Sequence, residues 1–383
     1  MKMCSVTFDW GENDAMEKVK HFEKTLRGMY GRLLWATVEF TELCNHRCVY
    51  CYENAEPKLK YNIMDKETAL KLIDYLSRSG IRQLTCSGGE PLMYPYIKDV
   101  IKAAKDKGLV VHMITNGYFL TKELAKELFD LGLTQVQINI DSVNPKKHDT
   151  IRGKKGSFEH AVNALKNARE AGMTTVTQTV VTELNEDEIV DIFKLARSIG
   201  VNRCRVWDIV PSEGRALEHM HLKPTRNYID ILKELTEYAK KTGATNIESG
   251  DPLFPQDYDT GLSLTGGYCP YSIGLLANIS VRGDSYFCCT NRENSMYNIF
   301  DVMNKNESLG KVHAERLRKT LKRLQFFNVQ KECLSCNFFK KCMGGCYMRR
   351  RYVDHEKDYW CERDVKKNTE QEAFSQTLLE TLK

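Results

Sequence analysis

A chain of 383 residues, 42% of them apolar, is long enough for a catalytic domain with an extension and too apolar to be disordered. Its 56 basic and 51 acidic residues leave a net charge of +5, too balanced to argue for nucleic acid, and no apolar run reaches the ~18 residues of a membrane span. The polar N-terminus has no signal-peptide pattern, so the expected location is cytoplasmic, where 14 cysteines point to metal rather than to disulfides.

Residues 1–34 carry one amphipathic helix-like piece, about Asn13 to Arg27. From Trp35 onward, strand-like and helix-like runs alternate six times. The strand-like runs are Trp35–Thr41, Gln83–Cys86, Leu109–Thr115, Gln135–Ile140, Thr175–Val181 and Arg203–Val210. Between them lie segments with apolar residues three and four apart, such as Leu70, Ile73 and Leu76, or Ala161, Leu165 and Ala168. Thr121 and Ser157 stand where helices should begin, and Gly80, Gly108, Gly132, Gly172 and Gly200 where helices should stop. Six such units predict a parallel sheet with an outer layer of helices; a closed eight-stranded barrel would need two more.

The alternation ends at Pro211. A loop from Ser212 to Lys223 leads to a helical run, about Thr225 to Lys241, and then to a Gly/Pro/Asp-rich stretch, Ser249 to Gly267. The predicted division is an N-terminal helical extension (1–34), an α/β unit (35–245), a cysteine-rich unit (246–364) and a polar tail (365–383). The run Arg349-Arg350-Arg351 reads as a solvated helix face.

The first strand runs into Cys44-Asn45-His46-Arg47-Cys48-Val49-Tyr50-Cys51, a CxxxCxxC loop. Three thiolates in one short loop can hold three irons of a four-iron cluster and leave the fourth open to a small-molecule ligand. A structural zinc site wants four protein ligands, and no fourth lies nearby in sequence. With Tyr50 as the aromatic residue before the last cysteine, this loop resembles that of the radical S-adenosylmethionine (radical SAM) superfamily, whose partial (β/α)6 barrel matches the count of six units.

Further segments carry the same resemblance. Gly88-Gly89-Glu90 is similar to the superfamily's GGE motif, which implies that Glu90 meets the amino group of S-adenosylmethionine. Thr115-Asn116-Gly117 puts polar side chains at the end of the third strand. Ribose contacts in the family follow the fourth strand, which makes Asn139 and Asp141 candidates. His148-Asp149-Thr150-Ile151-Arg152-Gly153 with Gly156-Ser157-Phe158 resembles the HDxxRG…GSF segment, where Arg152 would take the carboxylate of S-adenosylmethionine. Gln178 is a further candidate near that ligand, and Pro211 to Ala216 resembles the family's PxGRA ending.

At the C-terminal end Cys269, Gly283, Cys288, Cys333, Cys336, Cys342, Cys346 and Cys361 match the seven-cysteine signature of the SPASM domain. The resemblance implies two auxiliary [4Fe-4S] clusters, giving three in all. Cys333, Cys336, Cys342 and Cys361 would hold the outer one, and Cys269, Cys288 and Cys346 the inner one. Cys289 stands where sulfatase-maturating relatives have an aspartate, which counts against that activity. If Cys288 and Cys289 continue an extended strand, their side chains point to opposite faces, so an open iron site is expected there. Cys4, Cys86 and Cys204 read as packed thiols and the nine histidines as structural.

The resemblance implies a 5′-deoxyadenosyl radical that removes a hydrogen from substrate, an oxidoreductase outcome and a flavodoxin- or ferredoxin-like electron donor. No catalytic side chain follows from the sequence. The leading substrate expectation is a peptide or protein side chain, although the 34 residues before the first strand are too few for an independently folded leader-binding domain. The alternative is a small molecule, such as a tetrapyrrole losing propionate carboxyls, for which Arg203, Arg205 and Arg215 offer cations. A bare electron carrier would not need the Glu90 and Arg152 segments.

Overall fold

A computed structural model describes residues 33–53, 62–212, 214–244, 247–249, 274–293, 295–324, 333, 336, 342, 345–352 and 358–361. The predicted first helix, the tail after 364, most of the Ser249–Gly267 stretch and Cys4 and Cys269 lie outside the described residues.

Six parallel strands stand side by side in chain order: β1 (Trp35–Glu39), β2 (Gln83–Ser87), β3 (Val110–Thr115), β4 (Leu133–Asn139), β5 (Thr174–Val181) and β6 (Arg203–Asp208). Helices α1 (Lys66–Arg78), α2 (Ile97–Asp106), α3 (Lys122–Leu131), α4 (Pro145–Arg152), α5 (Ser157–Glu170) and α6 (Ile189–Ile199) fill the crossovers. The expected α/β architecture with a parallel sheet core is therefore the observed one. β7 (Ile247–Glu248) adds in parallel beyond β6. On the other edge β8 (Leu276–Ile279) pairs in parallel with β1, and β9 (Asp284–Tyr286) and β10 (Tyr297–Asn298) follow antiparallel.

Each strand has two unlike faces because successive side chains alternate. Ala36, Val38, Val136, Ile138, Cys204 and Val206 turn outward and are buried in the main apolar core. The helices meet them with Ala69, Leu72, Ile73 and Leu76 of α1 and with Ala161, Ala164, Leu165 and Ala168 of α5. The opposite, inner face carries polar residues: Thr37 and Glu39, His112, Gln135 and Gln137, Gln178, and Arg203 and Arg205. That face is where the sequence spends its polarity.

Thr121 caps α3 as expected, its hydroxyl accepting from the Leu124 N–H at 3.2 Å. Ser157 does not cap α5. It is the first residue of the helix, and the Asp149 carboxylate from α4 does the work, accepting from the N–H groups of Gly156 (2.6 Å) and Phe158 (3.0 Å). After β6 come α7 (Arg215–Glu218) and α8 (Tyr228–Thr242), which is docked by the Tyr228 hydroxyl on the Val206 carbonyl at 2.9 Å. α9 (Ile299–Asn304), α10 (Leu309–Arg323) and α11 (Tyr347–Tyr352) complete the described elements.

Two expectations fail in the C-terminal part. Arg349 and Arg350 on α11 are not solvated; they are 1% and 0% exposed. Arg349 is drawn inside because Asp208, at the end of β6, and Asp358 face it at 3.1 and 2.9 Å. Arg351 pairs with Glu293 at the surface. Cys288 and Cys289 do not continue a strand. β9 ends at Tyr286, and a tight turn bridges Cys288 to Asn291, with the Asn291 N–H on the Cys288 carbonyl at 3.1 Å.

Candidate functional site

The cysteine loop leaves β1 and is fixed from three sides. Arg47 and Val49 donate their N–H groups to the Arg152 and Ile151 carbonyls at the end of α4, at 3.1 and 3.0 Å. Gly153 makes that approach possible, since a Cβ there would lie 2.4 Å from the Arg47 carbonyl oxygen. Gly89 does the same for the turn after β2, where a Cβ would come within 2.3 Å of the Leu43 oxygen. The third support is Arg215, whose Nε donates to the Cys48 carbonyl at 3.0 Å. Gly88 and Gly89 thus serve the approach of one loop to another.

The thiols of Cys44, Cys48 and Cys51 lie in this one loop, with Cys48 buried and the other two half-buried. Burial pushes the Cys44 thiol up to about 11 and the Cys48 thiol up to about 12. Such thiols stay protonated until a metal displaces the proton, so iron loading here is coupled to proton release. Among the described residues no three Cys, His, Asp or Glu side chains close on a single metal ion. A four-iron cluster holds its thiolates farther apart than one ion does.

Four of the predicted cofactor residues form one buried group, although they come from three elements. The Tyr50 hydroxyl donates to Asp141 Oδ2 at 2.5 Å and accepts from Asn139 Nδ2 at 3.1 Å and from Arg152 Nη1. Arg152 Nη1 also lies 3.6 Å from Asp141 Oδ2. Burial raises the Asp141 carboxyl and the Arg152 charge opposes that rise. His148, read as structural, supports the group: its Nδ1 accepts from the Asp141 N–H at 3.1 Å, and burial holds it neutral down to about 3.

Glu90 lies apart from that group. Its carboxylate is buried and accepts from Thr115 Oγ1 (2.6 Å), Asn116 N (2.7 Å) and Leu92 N (3.0 Å). A carboxylate has about four acceptor sites, so one is left for an ammonium group. Arg152 Nε and Asn45 Nδ2 are buried donors without a hydrogen-bond partner. One open acceptor and two unmet donors around the cysteine loop fit the amino, carboxylate and hydroxyl groups of S-adenosylmethionine. Gln178 is turned elsewhere, its Oε1 accepting from Gln137 at 2.8 Å.

Three residues the sequence reading passed over tie the loop to the C-terminal part. Arg292 Nη1 donates to Glu39 Oε2 at 2.9 Å, and its Nη2 donates to Glu39 Oε1 and to Glu53 Oε1. Its Nε reaches the Cys289 carbonyl at 3.1 Å. The one available signal was Glu39 at an inward position of a strand whose outward positions are apolar. Farther on, Asp358 joins two of the late cysteines: its carboxylate accepts from the Cys346 N–H and its carbonyl from the Cys361 N–H, at 2.7 and 2.8 Å.

Sheet, loop and polar group agree with one class. Residues 38–196 match the family model of the radical SAM superfamily, so the chain carries a radical SAM domain. Among curated relatives, the AdoMet-dependent heme synthase of Methanosarcina barkeri is 31% identical over 53% of this chain and 58% of its own length. The chain thus spans little more than half of that relative. Mycofactocin maturase MftC of Mycolicibacterium smegmatis is 27% identical over 81% of this chain and 77% of its own. The solved structure of Streptococcus suis SuiB bound to S-adenosylmethionine shares the fold with a TM-score of 0.68 at 16% identity, over 93% of this chain and 84% of that one. No helix among the described residues is long and apolar enough to cross a membrane.

Proposed function

We propose that this chain is a radical SAM oxidoreductase that modifies a peptide or protein side chain. A four-iron cluster on Cys44, Cys48 and Cys51, with S-adenosylmethionine bound, supplies a 5′-deoxyadenosyl radical for hydrogen abstraction. Glu90 and Arg152 hold the two charged ends of the methionine part, and Asn139 and Asp141 lie ready for ribose hydroxyls. Tyr50 keeps Arg152 and Asp141 in register. Cys269, Cys288, Cys333, Cys336, Cys342, Cys346 and Cys361 hold two auxiliary [4Fe-4S] clusters, and a flavodoxin- or ferredoxin-like protein supplies electrons.

The observation that carries the peptide reading over the tetrapyrrole one is the charge of the inner face. Of the three cations expected for propionates, Arg215 is buried against the Cys48 carbonyl, and Arg203 and Arg205 both pair with Glu248. Two positive charges against one negative leave a surplus for a single carboxylate, where a tetrapyrrole brings several. The relationship to mycofactocin maturase over most of both chains supports the same reading. The resemblance to a heme synthase supports the second reading, oxidative decarboxylation of a tetrapyrrole.

The test is a comparison of substrates with the anaerobically reconstituted chain, dithionite and S-adenosylmethionine. A peptide pool should stimulate 5′-deoxyadenosine formation and contain a product lighter by two hydrogens. Stimulation by iron coproporphyrin alone, with loss of carbon dioxide, would reverse the order of the two readings.

A further inference from the structure

The inner face of β4 to β7 carries a belt of polar side chains that no cofactor role absorbs. Arg203 Nη1 and Arg205 Nε hold the two oxygens of Glu248 at 3.0 and 2.7 Å. Arg203 also donates to Gln135 Oε1, and Arg205 Nη1 donates to Gln137 Oε1 at 2.7 Å. A guanidinium only donates, so the Gln137 amide must present its oxygen to Arg205 and its nitrogen to Gln178. That nitrogen donates to Gln178 Oε1 at 2.8 Å. The Gln178 amide thereby uses its oxygen within the belt and keeps its NH2 group as a donor.

Every amide oxygen and both carboxylate oxygens in the belt already hold one donor. The charge left over is on donors: the unused N–H groups of Arg203 and Arg205, of the five each guanidinium carries, with the Gln178 NH2 beside them. Both arginine side chains are about a third exposed, at 29% and 32%, so these donors are reachable. The belt has one positive charge in excess. It also adjoins the cofactor group, because Gln178 is the register partner of Asn139 on one side and of Arg205 on the other.

We infer that Arg203, Arg205 and Gln178 form a carboxylate-recognition subsite that seats an acidic group of the substrate beside the Tyr50–Asn139–Asp141–Arg152 group. The inference rests on the substrate-modifying reading above and narrows it to substrates carrying a carboxylate near the reacting carbon. Glu248 and Gln137 are positioning residues: one sets the arginine forks, the other the Gln178 amide. A carboxylate matches a fork of two parallel N–H groups, which a single ammonium does not offer.

Trp207 follows Arg205 on the same face of β6, so its fluorescence should report binding, with Trp207→Phe identifying its signal and calorimetry as the independent readout. The probes are N-acetylglutamate α-amide and its neutral counterpart N-acetylglutamine α-amide, added to the reconstituted full chain, with iron coproporphyrin as a separate arm. The acid should bind and the neutral amide should not. Arg205→Gln should weaken the acid about tenfold to a hundredfold. Arg205→Lys, which keeps the charge needed by Glu248, should also weaken it, and Glu248→Gln should strengthen it. S-adenosylmethionine affinity should stay unchanged in all three variants. Equal binding of acid and amide, binding of none of the three probes, or loss of S-adenosylmethionine affinity in Arg205→Gln overturns the subsite. Arg205-dependent binding of iron coproporphyrin without the peptide probe keeps the subsite and removes the peptide reading.

Discussion

Asp208→Ala tests how the late cysteines are attached to the sheet. Asp208 ends β6, is 3% exposed, and takes Arg349 Nη1 on Oδ1 at 3.1 Å and Trp360 Nε1 on Oδ2 at 2.6 Å. Arg349 in turn holds Asp358, whose carboxylate carries the Cys346 N–H. Breaking a buried ion pair by removing one partner costs about 3–5 kcal/mol. Arg349 keeps Asp358, which places this case near the lower end, and the orphaned Trp360 N–H adds about 1–3 kcal/mol. Together these give about 4–6 kcal/mol, while Asp208→Asn, which still accepts from Trp360, should cost less. The assay is anaerobic urea denaturation of the reconstituted chain, with iron counted in parallel. The alanine variant should unfold at clearly lower urea and lose about four to eight irons before the sheet melts, as the two proposed auxiliary clusters would go first. A cost below about 1 kcal/mol with full iron content would refute the idea that this buried network fastens the cysteine-rich part.

His112 is kept neutral down to about 4 by burial and by the Arg203 and Arg205 charges, against 6.5 for a free imidazole. The unfolded chain therefore binds the extra proton between those values, and stability should rise with pH across that window by on the order of 3 kcal/mol. The gain is present above 6.5 and lost as pH falls through about 4. His112→Asn should flatten the profile in a urea series, and ring NMR of the native chain should give the low value directly. Gly89→Ala pushes a Cβ onto the Leu43 carbonyl beside Cys44, so it should cost about 1–3 kcal/mol and reduce S-adenosylmethionine binding in calorimetry. Cys289→Ser should keep the full iron content if the inner auxiliary cluster has an open site. Loss of about four irons would make Cys289 its missing ligand.

The strands and helices were legible because their periods of two and about 3.6 survive in the sequence, and each of the six strands begins or ends within two residues of expectation. The cysteine loop was legible because its ligands are local. What could not be read was pairing across distance. Tyr50 and Arg152 were each singled out, yet their bond to one another spans 102 positions and leaves no mark on either segment. Arg349 looked solvated because three arginines in a row describe a polar face when their partners are unknown; Asp208 lies 141 positions away. Ser157 satisfied the capping pattern, but Asp149 reached the N–H groups at that helix end from the helix before it. Glu39 and Arg292 were passed over for the same reason, since a lone strand glutamate means little until β8 sets the C-terminal part against β1.

The radical chemistry assigned to Cys44, Cys48 and Cys51 is tested most directly by changing all three to alanine. After anaerobic reconstitution the parent chain should hold about twelve irons and cleave S-adenosylmethionine to 5′-deoxyadenosine with dithionite. The triple variant should keep about eight irons and form no 5′-deoxyadenosine. Reductive cleavage by that variant would contradict the assignment.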